Sequence, residues 1–173
     1  MKNAVSHRMS IGLVLFLAVI TVAMLPTAAS AQDQTFMLVP GVRGSSVDAH
    51  HEGWIDVMSL RQTWNATAKK HNACEIEISK GLDMAGPRLW AAAVTSQLFQ
   101  EIRIEVWGGS SEARVKIYEI RLGNAHITGI VTSGEQTFAE SVTISATSLN
   151  LSFFPQNRDG SAGTPVTTSV ACD

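Results

Sequence analysis

CEIEISKGLDMAGPRLWAAAVTS, residues Cys74 to Ser96, decides the fold. Ile76 and Ile78 alternate with Glu75, Glu77 and Ser79, the period of a half-buried strand. Gly81 and Asp83 break that strand. Gly86-Pro87 then opens a helix, because a proline at the first helical position loses no hydrogen bond. Leu89, Trp90, Ala93 and Val94 recur at helical spacing and give one apolar stripe. A lone amphipathic helix must bury its stripe against another layer, and the rest of the chain offers only strands. The helix is therefore expected to pack, not to carry a site.

Outward from this stretch the chain reads as strands. Phe36 to Val39 is a short apolar run ended by Pro40-Gly41, and Val42 to Gly53 is a long polar loop. Trp54 to Trp64 reads as one strand with both faces partly apolar, and Asn65 to Asn72 as a polar connection. Beyond the helix, Ile102, Ile104 and Val106 alternate with Arg103, Glu105 and Trp107, and Gly108 to Ser111 supplies a hairpin turn. Val115 and Ile117 continue, then the apolar phase slips to Tyr118, Ile120 and Leu122, which predicts a bulge. Gly123-Asn124 reads as a tight turn and Ser133-Gly134 as another. Val142, Ile144 and Ala146 give way to Leu149, Leu151 and Phe153 with a second change of phase. About seven strands at hairpin spacing and one helix predict a mainly β fold: an antiparallel barrel or sandwich of two sheets with one flanking α-helix. There is no internal repeat.

Residues Met1 to Ala31 do not belong to that fold. Lys2, His7 and Arg8 form a basic start, Ile11 to Leu25 is an apolar run too short for a membrane span, and Ala29-Ser30-Ala31 suits signal peptidase. Cleavage is expected after Ala31, an uncleaved anchor being the rival reading, and the product is expected in the periplasm or outside the cell. Of 173 residues, 142 then remain, divided into a domain at 32–156 and a tail at 157–173. Removing Lys2 and Arg8 leaves 11 basic against 15 acidic residues, a net charge of −4. That balance excludes a basic nucleic-acid surface. The two cysteines, Cys74 and Cys172, would meet oxidising conditions and are a candidate disulfide. It would close a loop of 98 residues and add about 4–5 kcal/mol.

Reactive chemistry finds little purchase. Asp48, His50, His51 and Glu52 form the most polar cluster, but neighbours in one loop do not converge on a metal and no HExxH spacing occurs, so a solvated loop is expected. The serines lack a GxSxG context. His71 and His126 are isolated. Glu101, Glu105, Glu112 and Glu119 read as a solvated face, and Trp54, Trp64, Trp90 and Trp107 as core or interface residues. No catalytic residue, metal or cofactor is expected.

Several blocks together resemble the haemolysin-coregulated protein (Hcp) family, the tube proteins of the type VI secretion system. Phe36-Met37-Leu38-Val39 with Gly41-Val42-Arg43-Gly44-Ser45 is similar to its opening strand and loop, and His51-Glu52-Gly53 with Ile55-Asp56-Val57 to its next segment. Glu77-Ile78-Ser79-Lys80, Asp83 and Pro87-Arg88-Leu89-Trp90 are similar to its strand-to-helix block. Glu140-Ser141-Val142-Thr143-Ile144, Pro155-Gln156 and Asp159-Gly160-Ser161-Ala162-Gly163 are similar to its closing strand and tail. The resemblance spans about residues 35–170.

It implies a compact two-sheet barrel with one helix that assembles into hexameric rings, stacks into a tube and holds small effectors in the lumen, without catalytic residues. Other secretion-system proteins are implied partners. Within the long loop, Val42, Arg43, Ser45, Asp48 and His51 become the candidate ring-stacking residues. Three features depart from the family. An export signal conflicts with cytoplasmic tube assembly, a conflict that a start at Met37 would remove. Gly86 stands where the family often has serine, and the tail is short, stopping at Cys172-Asp173. A secreted ligand-binding or hydrolytic barrel reusing the fold stays open as the alternative.

Overall fold

The computed structural model describes residues 33–63, 74–109, 114–158 and 161–172. The expected signal segment, the Asn65 to Asn72 connection, the end of the Gly108 to Ser111 turn, Trp64, His71 and Glu112 lie outside the described residues. In chain order the elements are β1 (Gln34–Leu38), β2 (Ile55–Val57), β3 (Ser59–Thr63), β4 (Cys74–Gly81), α1 (Gly86–Val94), β5 (Phe99–Gly108), β6 (Val115–Ser133), β7 (Ala139–Phe153) and β8 (Val166–Ala171). Every strand pairing is antiparallel.

Two long strands build both layers. The first half of β6 lies between β5 and the second half of β7, while its second half pairs with the first half of β7 alone. On its other side β7 pairs first with β4, Cys74 facing Ala146, and then with β8, Ser148 facing Ala171. One layer is thus β2-β1-β5-β6-β7-β8 and the other β6-β7-β4-β3. Both long strands change layer at the same place. Asn124 adopts a φ of 47° beside the Gly123–Ser148 pair, and the inward alternation of β7 slips at the exposed Thr147 and Ser148. Gly123-Asn124 is therefore not the turn expected from its sequence. Glycine and asparagine tolerate left-handed backbone equally in a turn and in a kinked strand. The phase slip after Ile117 is a bulge: Val106 faces Tyr118 and Trp107 faces Lys116.

β2 and β3 sit at opposite ends of the strand order, yet only Met58 separates them in sequence. The sheet must therefore curl back on itself. Met58 N–H donates to Ser79 O at 2.8 Å, carrying the pairing across the closure. The single strand expected from Trp54 to Trp64 is consequently two short ones.

Inward side chains from both layers form one core. Met37, Ile55, Ile76, Ile78, Leu89, Ile102, Ile104, Ile120, Leu122 and Ile144 are fully buried within it, each stabilising the fold by about 1.5–3 kcal/mol. α1 packs on β6 through Leu89 and Ala92, with Ala85 and Gly86 ahead of them. The stripe expected from Trp90 and Val94 is instead exposed, at 42% and 80%. The buried positions keep helical spacing one step round, where small side chains allow close approach to the strands.

The helix start is held by a buried charge triad. Lys80 Nζ donates to Asp83 Oδ1 and Glu140 Oε2, each at 2.6 Å, and to Gly81 O at 2.8 Å. Asp83 Oδ1 also accepts the Ala85 N–H at 3.0 Å. β4, β7 and α1 are thereby joined at one point. A Cβ on Gly86 would lie 2.9 Å from Glu140 Oε1, so glycine is what lets that carboxylate approach the helix.

Cys74 and Cys172 are bonded, with their Cα atoms 5.5 Å apart. Residues after Asn157, expected as a tail, include β8, which extends the first layer.

Candidate functional site

The loop from Val42 to Gly53 is organised as a ribbon. Gly44 N–H donates to Gly53 O at 2.7 Å, Ser46 N–H to Trp54 O at 3.0 Å and Gly53 N–H to Ser46 O at 2.9 Å. Burial alternates along it: Val42, Gly44 and Ser46 face inward, whereas Arg43, Ser45 and Val47 are exposed. Gly44 is required there, because a Cβ would collide with the Trp54 backbone. The Ser45 hydroxyl accepts the Met84 N–H at 3.4 Å, a link toward the start of α1.

His51 pins the ribbon to the sheet and is 1% exposed. Its Nδ1 faces Asp48 Oδ1 at 2.6 Å and its Nε2 faces Glu105 Oε2 of β5 at 3.2 Å. Its ring stacks on Phe36 with centroids 4.1 Å apart and planes within 3°. Trp54 and Trp107 meet the same ring edge-on. Arg114 pairs with Asp48 and lies over the Phe36 and Trp107 rings. The expectation of a solvated loop is corrected at His51, which is buried against Glu105 54 residues away in sequence, and at Asp48, which is half-buried and paired with Arg114 66 residues away. His50 and Glu52 do remain exposed.

The same network continues across β5 and β6. Lys116 Nζ bridges Glu105 at 3.1 Å and Glu119 at 2.5 Å, Arg121 Nε donates to Glu119 at 2.6 Å, and Arg103 to Glu101 at 2.9 Å. Glu105 and Glu119 are only 6% and 4% exposed, so at these two positions the expected solvated face is in fact a packed ladder of ion pairs, whereas the Glu101 side chain stays 42% exposed. Burial by itself would raise the Glu105 carboxyl. Hydrogen bonds from Trp107 Nε1, His51 and Lys116 outweigh it and hold the group down at about 2. Burial likewise works against Asp48, where bonds from His51, Arg114 and the His50 N–H win and leave it at about 2.

These carboxylates are engaged by cations, histidine or the Trp107 N–H, and among the described residues none is paired with a serine, threonine or cysteine nucleophile. Among the described residues no three histidine, cysteine or acidic side chains converge in a way that would hold a metal ion. An open groove of about 480 Å³ runs between the ribbon and β1–β2, with Asp33, Asp48 and Asp56 on its walls. What the surface does offer is contact area. Leu82, Met84, Trp90, Val94 and Leu98, all from the helix and its flanks, are each 42–80% exposed. β8 has β7 on one side and no partner strand on the other among the described residues.

The fold is thus an antiparallel sheet curled into a barrel, with one helix, a pinned ribbon and large exposed apolar side chains. The family described as "Type VI secretion system effector, Hcp" matches residues 36–153, and the chain belongs to it. Solved structures share the fold at low identity. Hcp1 from Salmonella typhimurium is 15% identical, with a TM-score of 0.69 over 80% of this chain and 94% of that one. A type VI secretion system effector from Yersinia pestis is 17% identical at 0.66, covering 79% and 98%. The secreted protein Hcp3 from Pseudomonas aeruginosa is 17% identical at 0.60, covering 82% and 98%. No curated protein matches. The chain is thus a member of a family of structural tube proteins of type VI secretion.

The five candidate stacking residues fall on the ribbon but not on one face. Arg43 and Ser45 point outward, Asp48 is half-buried, and Val42 and His51 point inward. The sequence missed the ladder and the Lys80 triad. Its usable signal was Asp48 three residues before His51, and Lys80 three before Asp83.

Proposed function

We propose that the chain is an exported, non-enzymatic subunit that assembles with its own copies into a hexameric ring and acts structurally or as a carrier of a small partner. The family match across nearly the whole barrel carries this reading. The exposed apolar residues from Leu82 to Leu98 support it, since side chains of that size on a single subunit mark a contact surface. A closed ring needs each copy to present two complementary patches, and the helix flank and the free β8 edge are two such patches on different elements. On this reading Arg43, Ser45 and Val47, the exposed residues of the ribbon, touch the stacked ring.

Export belongs to the same proposal. The basic start, the apolar run and Ala29-Ser30-Ala31 direct the chain to signal peptidase, with a mature domain beginning at Gln32. No helix among the described residues is long and apolar enough to cross a membrane. An exported subunit reaches the periplasm or the medium one molecule at a time, so its rings form there. The hydrolytic alternative gains nothing from the site, because Asp48, Glu105 and Glu119 are each held by cations. Amino-terminal sequencing and negative-stain microscopy of the exported fraction test the proposal. A start at Gln32 and six-fold rings are expected, whereas an intact amino terminus in the cytoplasm removes the export half.

A further inference from the structure

We propose that the Cys74–Cys172 disulfide is the fastener of β8, so that β8 stays docked as the outer strand of the first layer only where thiols are oxidised. β8 contributes little to the core. Of Val166 to Ala171 only Val170 is even half-buried. The strand is held to β7 by its ladder and by two side-chain contacts, Asn150 to Ser169 at 2.8 Å and Ser152 to Thr167 at 3.0 Å. The next residue, Cys172, is 5% exposed, and its N–H donates to Thr147 O at 2.8 Å at the corner where β7 changes layer. Cys74 opens β4 in the other layer, opposite Ala146. The bond therefore ties the end of β8 across the corner to a strand that is anchored on both sides.

Reduction by a dithiol transfers two electrons and two protons to the sulfurs, leaving two thiols and the dithiol's own cyclic disulfide. β8 then keeps only its ladder and the two side-chain contacts to β7, the kind of element that opens locally while a core stays folded. Opening uncovers the Ser148 to Phe153 edge of β7, whose backbone groups become a template for another strand. A chain in a reducing compartment and one in an oxidising compartment thus present different edges. What this does to ring assembly rests on the ring-forming reading; the fastening itself does not.

Hydrogen exchange read by mass spectrometry tests it on the purified full chain, comparing oxidised protein, protein in excess dithiothreitol, and Cys172→Ser. The amides of 166–171 are expected to exchange on the order of a hundredfold faster without the bond, because an untethered edge ladder opens locally while the core stays closed. Peptides covering Ile102 to Ile104 and Ile120 to Leu122 should keep their protection. Unchanged β8 exchange overturns the proposal. So does loss of protection throughout the barrel, in the reduced wild type or in a variant that fails to fold, because the bond would then be a global staple.

Discussion

Replacing Lys80 by methionine isolates the triad that joins the two layers to the helix. The lysine side chain is 1% exposed, Glu140 4% and Asp83 12%. Lys80→Met fills a similar volume but leaves two carboxylates facing each other with no cation. Breaking a buried pair in this way costs about 3–5 kcal/mol, because the remaining charge is desolvated and uncompensated. The start of α1 should suffer most, since Asp83 also holds the Ala85 N–H. Adding Glu140→Leu removes the more deeply buried of the two stranded charges, leaving Asp83 with the Ala85 N–H, and the double variant should regain a large part of the loss. Urea unfolding of wild type, both single variants and the double variant closes the cycle, with a coupling of at least 2 kcal/mol in size expected from residues in direct contact (roughly the upper range for such pairs). A loss under about 1 kcal/mol for Lys80→Met, or additive single losses, would refute the reasoning.

Gly86→Ala should destabilise by about 1–2 kcal/mol in thermal unfolding despite the better helix propensity of alanine, because the new methyl presses on a carboxylate that Lys80 pins. His51→Ala should cost about 2–3 kcal/mol and raise proteolysis within Val42 to Gly53, since it strips Asp48 and Glu105 of a partner and Phe36 of its stacked ring. Both Asp48 and Glu105 titrate at about 2, below their ordinary values of 3.8 and 4.5. Their contribution is thus fully present above about pH 4.5 and is lost as pH falls toward 2. Glu105→Gln should flatten that acid limb of the stability profile, and an unchanged limb would remove Glu105 from the network.

Local patterns in the chain gave away local structure. Ile76 and Ile78 mark β4, Gly86-Pro87 marks the start of α1, and the slip from Ile117 to Tyr118 marks the bulge. The readings that failed each turned on a partner distant in sequence. Gly123-Asn124 has the chemistry of a turn, and only pairing with β5 and β7 on both sides makes it a kink inside β6. Nothing near Met58 announces that the chain there passes between the two ends of a closing sheet. Trp90 and Val94 fit an apolar stripe by spacing, but packing selected the smaller residues one step round the helix. The burial of His51 depends on Glu105, and that of Lys80 on Glu140, so neither cluster has a contiguous signature. Ion pairs that cross a sheet follow its register, which local periodicity does not encode.

Copies of one barrel fitting together is the central claim, and native mass spectrometry of the oxidised, purified protein measures it most directly. The account predicts a dominant species of six chains that persists on dilution into the low micromolar range. A single chain at every concentration would contradict it.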